Sequence, residues 1–149
     1  MIKIQNLKIG FYLTAISLIC CIAAMIAFFF TYNVFSYQFN RWVFFMTFLA
    51  IWGLAFMCVN TVLVGEKPFW VSYVHVLASL LIMLSAILFI RPCLSPIGIY
   101  FTVHNMGDVE TNAVGVPASI VTAALYIVAL ICNVVASFLT SVKEKGETV

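Results

Sequence analysis

The sequence predicts an all-α polytopic membrane protein in which four transmembrane helices form a bundle. Only 8% of its 149 residues are charged, against roughly 25% in soluble proteins. Hydrophobic residues make up 65%, more than a soluble domain of this length could bury, because its surface-to-volume ratio is too high. Four apolar runs without Asp, Glu, Lys or Arg reach the length of about 20 residues that a bilayer core requires. One domain, residues 1–149, is predicted.

The first two predicted helices cover residues 9–30 and 42–64. The first run follows Lys8, as a signal peptide could, but it is too long for the apolar part of one. It also ends in the aromatic stretch 28–30 rather than in a small-residue cleavage site. We therefore expect it to be retained as a membrane span.

The last two predicted helices cover residues 70–90 and 116–140. Proline disfavours helical geometry in the residue before it, so Pro92 is expected to end the third helix at Arg91. Pro117 is expected in the first turn of the fourth helix, where its missing N–H costs nothing.

The basic residues predict the orientation of the helices. Two of them, Arg41 and Arg91, lie in connections on one side of the membrane. The other side receives Lys3, Lys8, Lys67, Lys143 and Lys145. This asymmetry predicts a plasma-membrane protein with both termini in the cytoplasm.

The two outer connections show strand-like alternation of apolar and polar residues. Phe35, Tyr37 and Phe39 alternate in the first, and residues 97–103 alternate in the outer loop 91–115. The sequence therefore allows a small extracytoplasmic β element built from both loops. The alternative is an irregular segment with its aromatic rings in the lipid headgroups.

A few polar residues inside the spans fall at similar depth, close to the cytoplasmic boundary. This predicted polar layer consists of Thr14, Ser17, Asn60, Thr61, His75 and Asn133. Such groups are costly in lipid, so they are natural candidates for a polar pocket or a proton-accepting histidine. The alternative is hydrogen bonding between helices that fixes their register. No carboxylate lies at that depth to support proton relay or ion-coupled transport.

The stretch HNMGDVETN at 104–112 is the polar crest of the outer loop. Its candidate contact residues are His104, Asn105, Asp108, Glu110 and Asn112. The alternating acids resemble the start of a calcium loop, but the Gly and Glu that an EF-hand requires are not in register. The alternatives are that this stretch is a solvated turn before the fourth helix, or that it is a recognition surface. No metal site is predicted.

No catalytic triad, phosphate loop or C-x-x-C motif occurs, so neither an enzyme nor a cofactor is predicted. A net charge of +2 without a basic stripe gives no reason to expect nucleic acid. The expected function is that of an accessory or interaction subunit in the lipid bilayer, bound to another membrane or extracytoplasmic protein or to itself. The alternatives are an oligomeric channel or transporter for a neutral or lipophilic solute, and a lipid-directed enzyme using His75 or His104.

Overall fold

The computed structural model of the protein describes residues 9–34, 41–63, 69–102 and 109–139. These ranges contain four helices and no strand: α1 (Ile9–Val34), α2 (Trp42–Leu63), α3 (Phe69–Thr102) and α4 (Val109–Phe138). Each helix contains 22 to 24 residues that are apolar enough to cross a membrane. The prediction of an all-α membrane protein with four spanning helices is therefore confirmed.

Every helix buries one narrow seam of residues that lie three or four positions apart, with a mean spacing close to 3.5. On α3 the seam consists of His75, Ala78, Ile82, Ser85, Phe89 and Cys93. On α4 it consists of Ser119, Thr122, Tyr126, Ala129, Asn133 and Ala136. A mean spacing of 3.5 residues is typical of left-handed helix packing with crossing angles near +20°.

The helices are arranged in chain order around the bundle. α1 packs against α2 and α4, and α3 packs against the same two helices. The α1–α4 contact is the most extensive of the four. Small side chains in its seams, such as Ser17, Ala24 and Ala129, are fully buried and let the two backbones approach closely.

The outward faces of the helices carry large apolar side chains. Ile19 on α1 is 64% exposed and Trp52 on α2 is 63% exposed, although both lie near the middle of their spans. A surface of this kind is stable in hydrocarbon but would aggregate in water. The exposed apolar surface and the lengths of the helices therefore both indicate that lipid surrounds the bundle.

From the sequence we expected the third helix to end at Arg91, but in the structure it does not. It continues through Pro92 to Thr102, eight residues or about 12 Å beyond the end of its apolar span at Leu94. Pro92 and Pro96 cannot donate to the carbonyls of Leu88 and Pro92, but these two missing bonds do not stop a helix whose other backbone groups stay paired. The predicted end was therefore wrong.

The predicted β element is not supported either. Residues 97–102, which alternate like a strand, belong to α3, where the backbone satisfies its own hydrogen bonds without a pairing partner. The matching run at 35–39 lies outside the described residues. Helix α4 begins at Val109, so Pro117 lies inside the helix rather than in its first turn.

Candidate functional site

Asn133 on α4 forms the main polar contact between helices near the end of the bundle where the α2–α3 connection lies. Its Nδ2 atom donates to the carbonyl oxygen of His75, 3.1 Å away, and to Oγ of Ser79, 2.8 Å away. Its Oδ1 atom lies 3.0 Å from Nδ1 of His75. Asn133 is fully buried and His75 is 3% exposed. All hydrogen-bonding atoms of this amide are therefore used, and they bind α4 to α3.

The partners of Asn133 also determine the tautomer of His75. A backbone carbonyl can only accept, so the amide nitrogen of Asn133 must face it and the amide oxygen must face the imidazole. That oxygen accepts only, so Nδ1 of His75 carries the hydrogen. The imidazole is thus a donor toward Asn133 in this arrangement.

Other members of the predicted polar layer make separate contacts. Oγ of Ser17 on α1 donates to the carbonyl oxygen of Ala129 on α4, 2.8 Å away and one helical turn from Asn133. Thr14 is buried and donates to Gly10 within its own helix. The layer is therefore split between an α3–α4 contact and an α1–α4 contact.

The two predicted members on α2 do not join this network. Thr61 donates to the carbonyl of Met57 in its own helix, at 2.8 Å. Asn60 is half-buried, and no hydrogen bond among the described residues includes its side chain. Ser79, which completes the contact, was not predicted, although it lies one turn after His75 on the same face of α3.

A second buried polar pair, which the sequence analysis missed, lies toward the other end of the bundle. The hydroxyls of Thr47 on α2 and Tyr126 on α4 are 2.7 Å apart. Thr47 also donates to the carbonyl of Val43 at 2.8 Å, so the shared hydrogen comes from Tyr126. The spacing of polar residues on α4 could have indicated that Tyr126 is buried, because it lies seven residues, or two helical turns, before Asn133 on the same face.

Aromatic rings fill the bundle axis beside this pair. The ring of Phe89 lies 5.7 Å from that of Phe28 and 6.1 Å from that of Tyr126, centroid to centroid. All three side chains are almost completely buried. Helices α1, α3 and α4 therefore meet in a packed apolar centre at this level.

The predicted outer-loop surface is only partly within the described structure. His104, Asn105 and Asp108 lie outside the described residues. Glu110 and Asn112 belong to the first turn of α4, not to a loop. The connection between α3 and α4 is thus shorter than the predicted 91–115, since both ends of that range are helical.

Two further features bear on chemistry. All five cysteines are free, and Cys93 on α3 is buried rather than displayed at the surface. Within the described part of the chain, no group of three His, Cys, Asp or Glu side chains is placed to hold a metal ion. The described polar contacts thus either connect two helices or bond a hydroxyl to a carbonyl of its own helix.

The outward face of α2 differs from the faces of the other helices. It carries a row of exposed side chains three or four residues apart, which we name the α2 ridge. The α2 ridge consists of Phe45, Phe48, Trp52, Phe56 and Val59. Trp52 and Phe48 contact edge to face, with centroids 6.1 Å apart. None of the hydrogen bonds among the described residues involves the indole N–H of Trp52.

The fold and these contacts define a four-helix membrane protein with a bundle held by buried polar pairs. Comparison with protein-family models, with curated proteins and with solved structures gives no match.

Proposed function

We propose that this chain is a non-enzymatic interaction subunit that binds another membrane protein through the α2 ridge. The observation that carries the proposal is the position of Trp52. It lies at the midpoint of α2, about 15 Å from either end, and it is 63% exposed. Tryptophan is enriched where the bilayer meets water and not at its centre.

The indole N–H makes this position unfavourable in lipid. Hydrocarbon offers it no acceptor, and an unsatisfied polar group removed from water costs about 1–3 kcal/mol in proteins. A neighbouring helix with a carbonyl or hydroxyl oxygen facing Trp52 removes that cost. The ring would at the same time bury a large apolar area against the partner.

The other three helices lack such a feature at mid-membrane depth. Their exposed residues there are aliphatic or Met, as lipid-facing positions usually are. On α1 these are Ile16, Ile19 and Ile22, on α3 Leu80, Met83 and Leu84, and on α4 Ile127, Val128 and Ile131. The contrast supports α2 as the contact helix and the other three helices as the lipid-facing side.

The chemistry of the α2 ridge specifies the partner. Bulky rings spaced along one helix face fit a helix with small residues, because these leave room for the rings. The partner we propose is therefore a transmembrane helix of a second membrane protein. It presents small side chains and one hydrogen-bond acceptor at the level of Trp52. A second copy of this chain is the competing occupant that the experiment below distinguishes.

The interior of the bundle favours this proposal over solute transport through one chain. Phe28, Phe89 and Tyr126 fill the axis, and the described buried hydroxyls and amides near it mostly bond to protein. Transport would therefore require a path between chains. The contacts of His75 with Asn133 fix the register between α3 and α4, which supports a structural role rather than a catalytic one.

The proposal includes the plasma membrane and cytoplasmic termini. Its support is the excess of lysines in the segments predicted to face the cytoplasm, against Arg41 and Arg91 on the other side. A cysteine introduced at Thr148 should then react with a membrane-impermeant reagent only after the cells are opened. Equal labelling of intact cells would contradict the orientation.

Co-purification from native membranes in mild detergent tests the function. The protein should be isolated with a second membrane protein, and Trp52→Ala should weaken that complex by about 30-fold, as at a tryptophan hot spot. Ile19→Ala is the matched control, since Ile19 is equally exposed at equal depth. It should leave the complex unchanged. Isolation of a monomer alone, equal loss in both variants, or a complex of identical chains would contradict the proposed partner.

A further inference from the structure

A crevice of about 240 Å³ lies where α1 ends and α2 begins. Among the described residues its walls are formed by Phe28, Phe29, Arg41 and Phe44. Phe28 is buried and forms the floor, while the other three are exposed to the surroundings. The crevice thus combines an apolar wall with one permanent positive charge, and it takes no part in the α2 ridge.

The depth of the crevice places it at the boundary between hydrocarbon and headgroups. Phe29 lies two residues inside the end of the α1 span at Thr31, about 3 Å below it. Arg41 directly precedes the α2 span, which begins at Trp42. The guanidinium is therefore at headgroup level and the rings are at the level of the upper acyl chain.

Charge and volume restrict what can bind there. Neither α1, α2 nor the segment between them contains an Asp or Glu. Guanidinium groups bind phosphate oxygens with two parallel hydrogen bonds. A cavity of about 240 Å³ is smaller than the sites of about 300–1,000 Å³ that enclose whole ligands. The cavity is large enough for the first part of one acyl chain of a lipid whose remaining atoms lie in the bilayer.

We infer that this crevice binds an anionic phospholipid, with the phosphate on Arg41 and the first part of an acyl chain against Phe28, Phe29 and Phe44. The lipid comes from the leaflet that meets the α1–α2 connection. Binding is independent of the protein partner proposed above.

Fluorescence of Trp42 can report the bound lipid, because Trp42 follows Arg41 and is 59% exposed. Trp52→Phe and Trp70→Phe leave Trp42 as the only indole. This protein is reconstituted in phosphatidylcholine vesicles that contain a fixed small fraction of brominated lipid. The brominated lipid is either phosphatidylglycerol or phosphatidylcholine, with bromine on the upper acyl chain. Brominated phosphatidylglycerol should quench more strongly, and the ratio of the two quenching constants measures the preference.

The charge is tested with a matched pair of arginines. Arg41→Gln should lower the preference about fivefold, the effect expected for one cation near the membrane surface. Arg91→Gln removes an exposed arginine at the same side of the membrane but outside the crevice, and should preserve the preference. Equal quenching by both lipids in the parent protein, or equal loss in both variants, would overturn the inference.

The apolar wall is tested with a matched pair of phenylalanines. Phe29 and Phe30 are neighbours on α1 and are 56% and 57% exposed, but only Phe29 is among the described lining residues. Phe29→Ala should reduce quenching by brominated phosphatidylglycerol, and Phe30→Ala should not. Excess inorganic phosphate should have no effect. Loss of the preference in phosphate, or equal behaviour of the two variants, would contradict a lipid site.

Discussion

The Nδ1 atom of His75 lies 3.0 Å from the Oδ1 atom of Asn133, and a buried hydrogen bond therefore joins α3 to α4. The same asparagine donates to the His75 carbonyl and to Ser79. The side chain of Asn133 on α4 is thus hydrogen-bonded to three atoms of α3. In hydrocarbon, where water cannot replace a lost partner, such a contact specifies which turn of one helix faces which turn of the other.

Replacing Asn133 with Leu should therefore destabilise the bundle. It removes three hydrogen bonds between α4 and α3, for an expected loss of about 2–4 kcal/mol in the free energy of unfolding. The measurement is reversible unfolding in mixed micelles with increasing denaturing detergent. Ser137→Ala is the control, because Ser137 bonds only within its own helix at the exposed end of α4. Equal stability of the two variants would contradict the role of Asn133.

The tautomer of His75 gives a spectroscopic prediction. Nitrogen NMR of protein labelled at histidine should show a protonated Nδ1 and an unprotonated Nε2 in the neutral ring. Asn133→Leu removes the acceptor that selects this form, and the signal should then shift toward a mixture of both tautomers. A neutral ring protonated at Nε2 in the parent protein would show that the amide of Asn133 is oriented the other way.

Thr47 and Tyr126 should respond asymmetrically to substitution. Thr47→Val has nearly the same shape but leaves the buried hydroxyl of Tyr126 without its acceptor, at an expected cost of about 1–3 kcal/mol. Tyr126→Phe should cost less, because Thr47 keeps its bond to the Val43 carbonyl. Combining both substitutions should restore most of the stability that Thr47→Val removes. Additive losses in the same unfolding assay would mean that the two hydroxyls do not interact.

Ser85 and Ser17 should give effects of opposite sign when each is replaced by alanine. Oγ of Ser85 is buried without a hydrogen-bond partner among the described residues, so Ser85→Ala should be neutral or stabilise by up to about 1 kcal/mol. Oγ of Ser17 bonds Ala129 across the α1–α4 contact, so Ser17→Ala should destabilise by about 0.5–1.5 kcal/mol. Unfolding of the two variants side by side provides the measurement. A destabilised Ser85→Ala protein would reveal a partner for that hydroxyl.

The four spans could be predicted because each lacks charge over the length of a bilayer core. Depth could also be predicted, since each helical residue advances a fixed 1.5 Å, and this placed His75 and Asn133 at one level. Rotation about the helix axis could not be derived, because it depends on which faces the neighbouring helices cover. For this reason Asn60 was predicted in the layer and Ser79 was missed.

The end of α3 shows a different limit. The rule that proline disfavours helical geometry before it describes average behaviour. Within the span, which extends to Leu94, leaving the helix exposes backbone groups that only another element could satisfy. That cost outweighs the bond lost at Pro92. Beyond the span α3 continues through Pro96 to Thr102, so helical geometry also prevails over the weak alternation at 97–102. The aromatic residues of α2 could be seen in the sequence, but only the structure shows that their side chains are exposed.

The most direct test of the central claim is photocross-linking from the α2 ridge in native membranes. A photoreactive phenylalanine analogue is placed at Phe48 or Phe56, which flank Trp52, and at Ile19 on α1 as a control of similar depth. We predict one discrete product with a second membrane protein from both α2 positions. That product should be lost with Trp52→Ala and should not form from Ile19. Products with lipid alone, or the same protein products from all three positions, would contradict the claim that α2 is the contact helix.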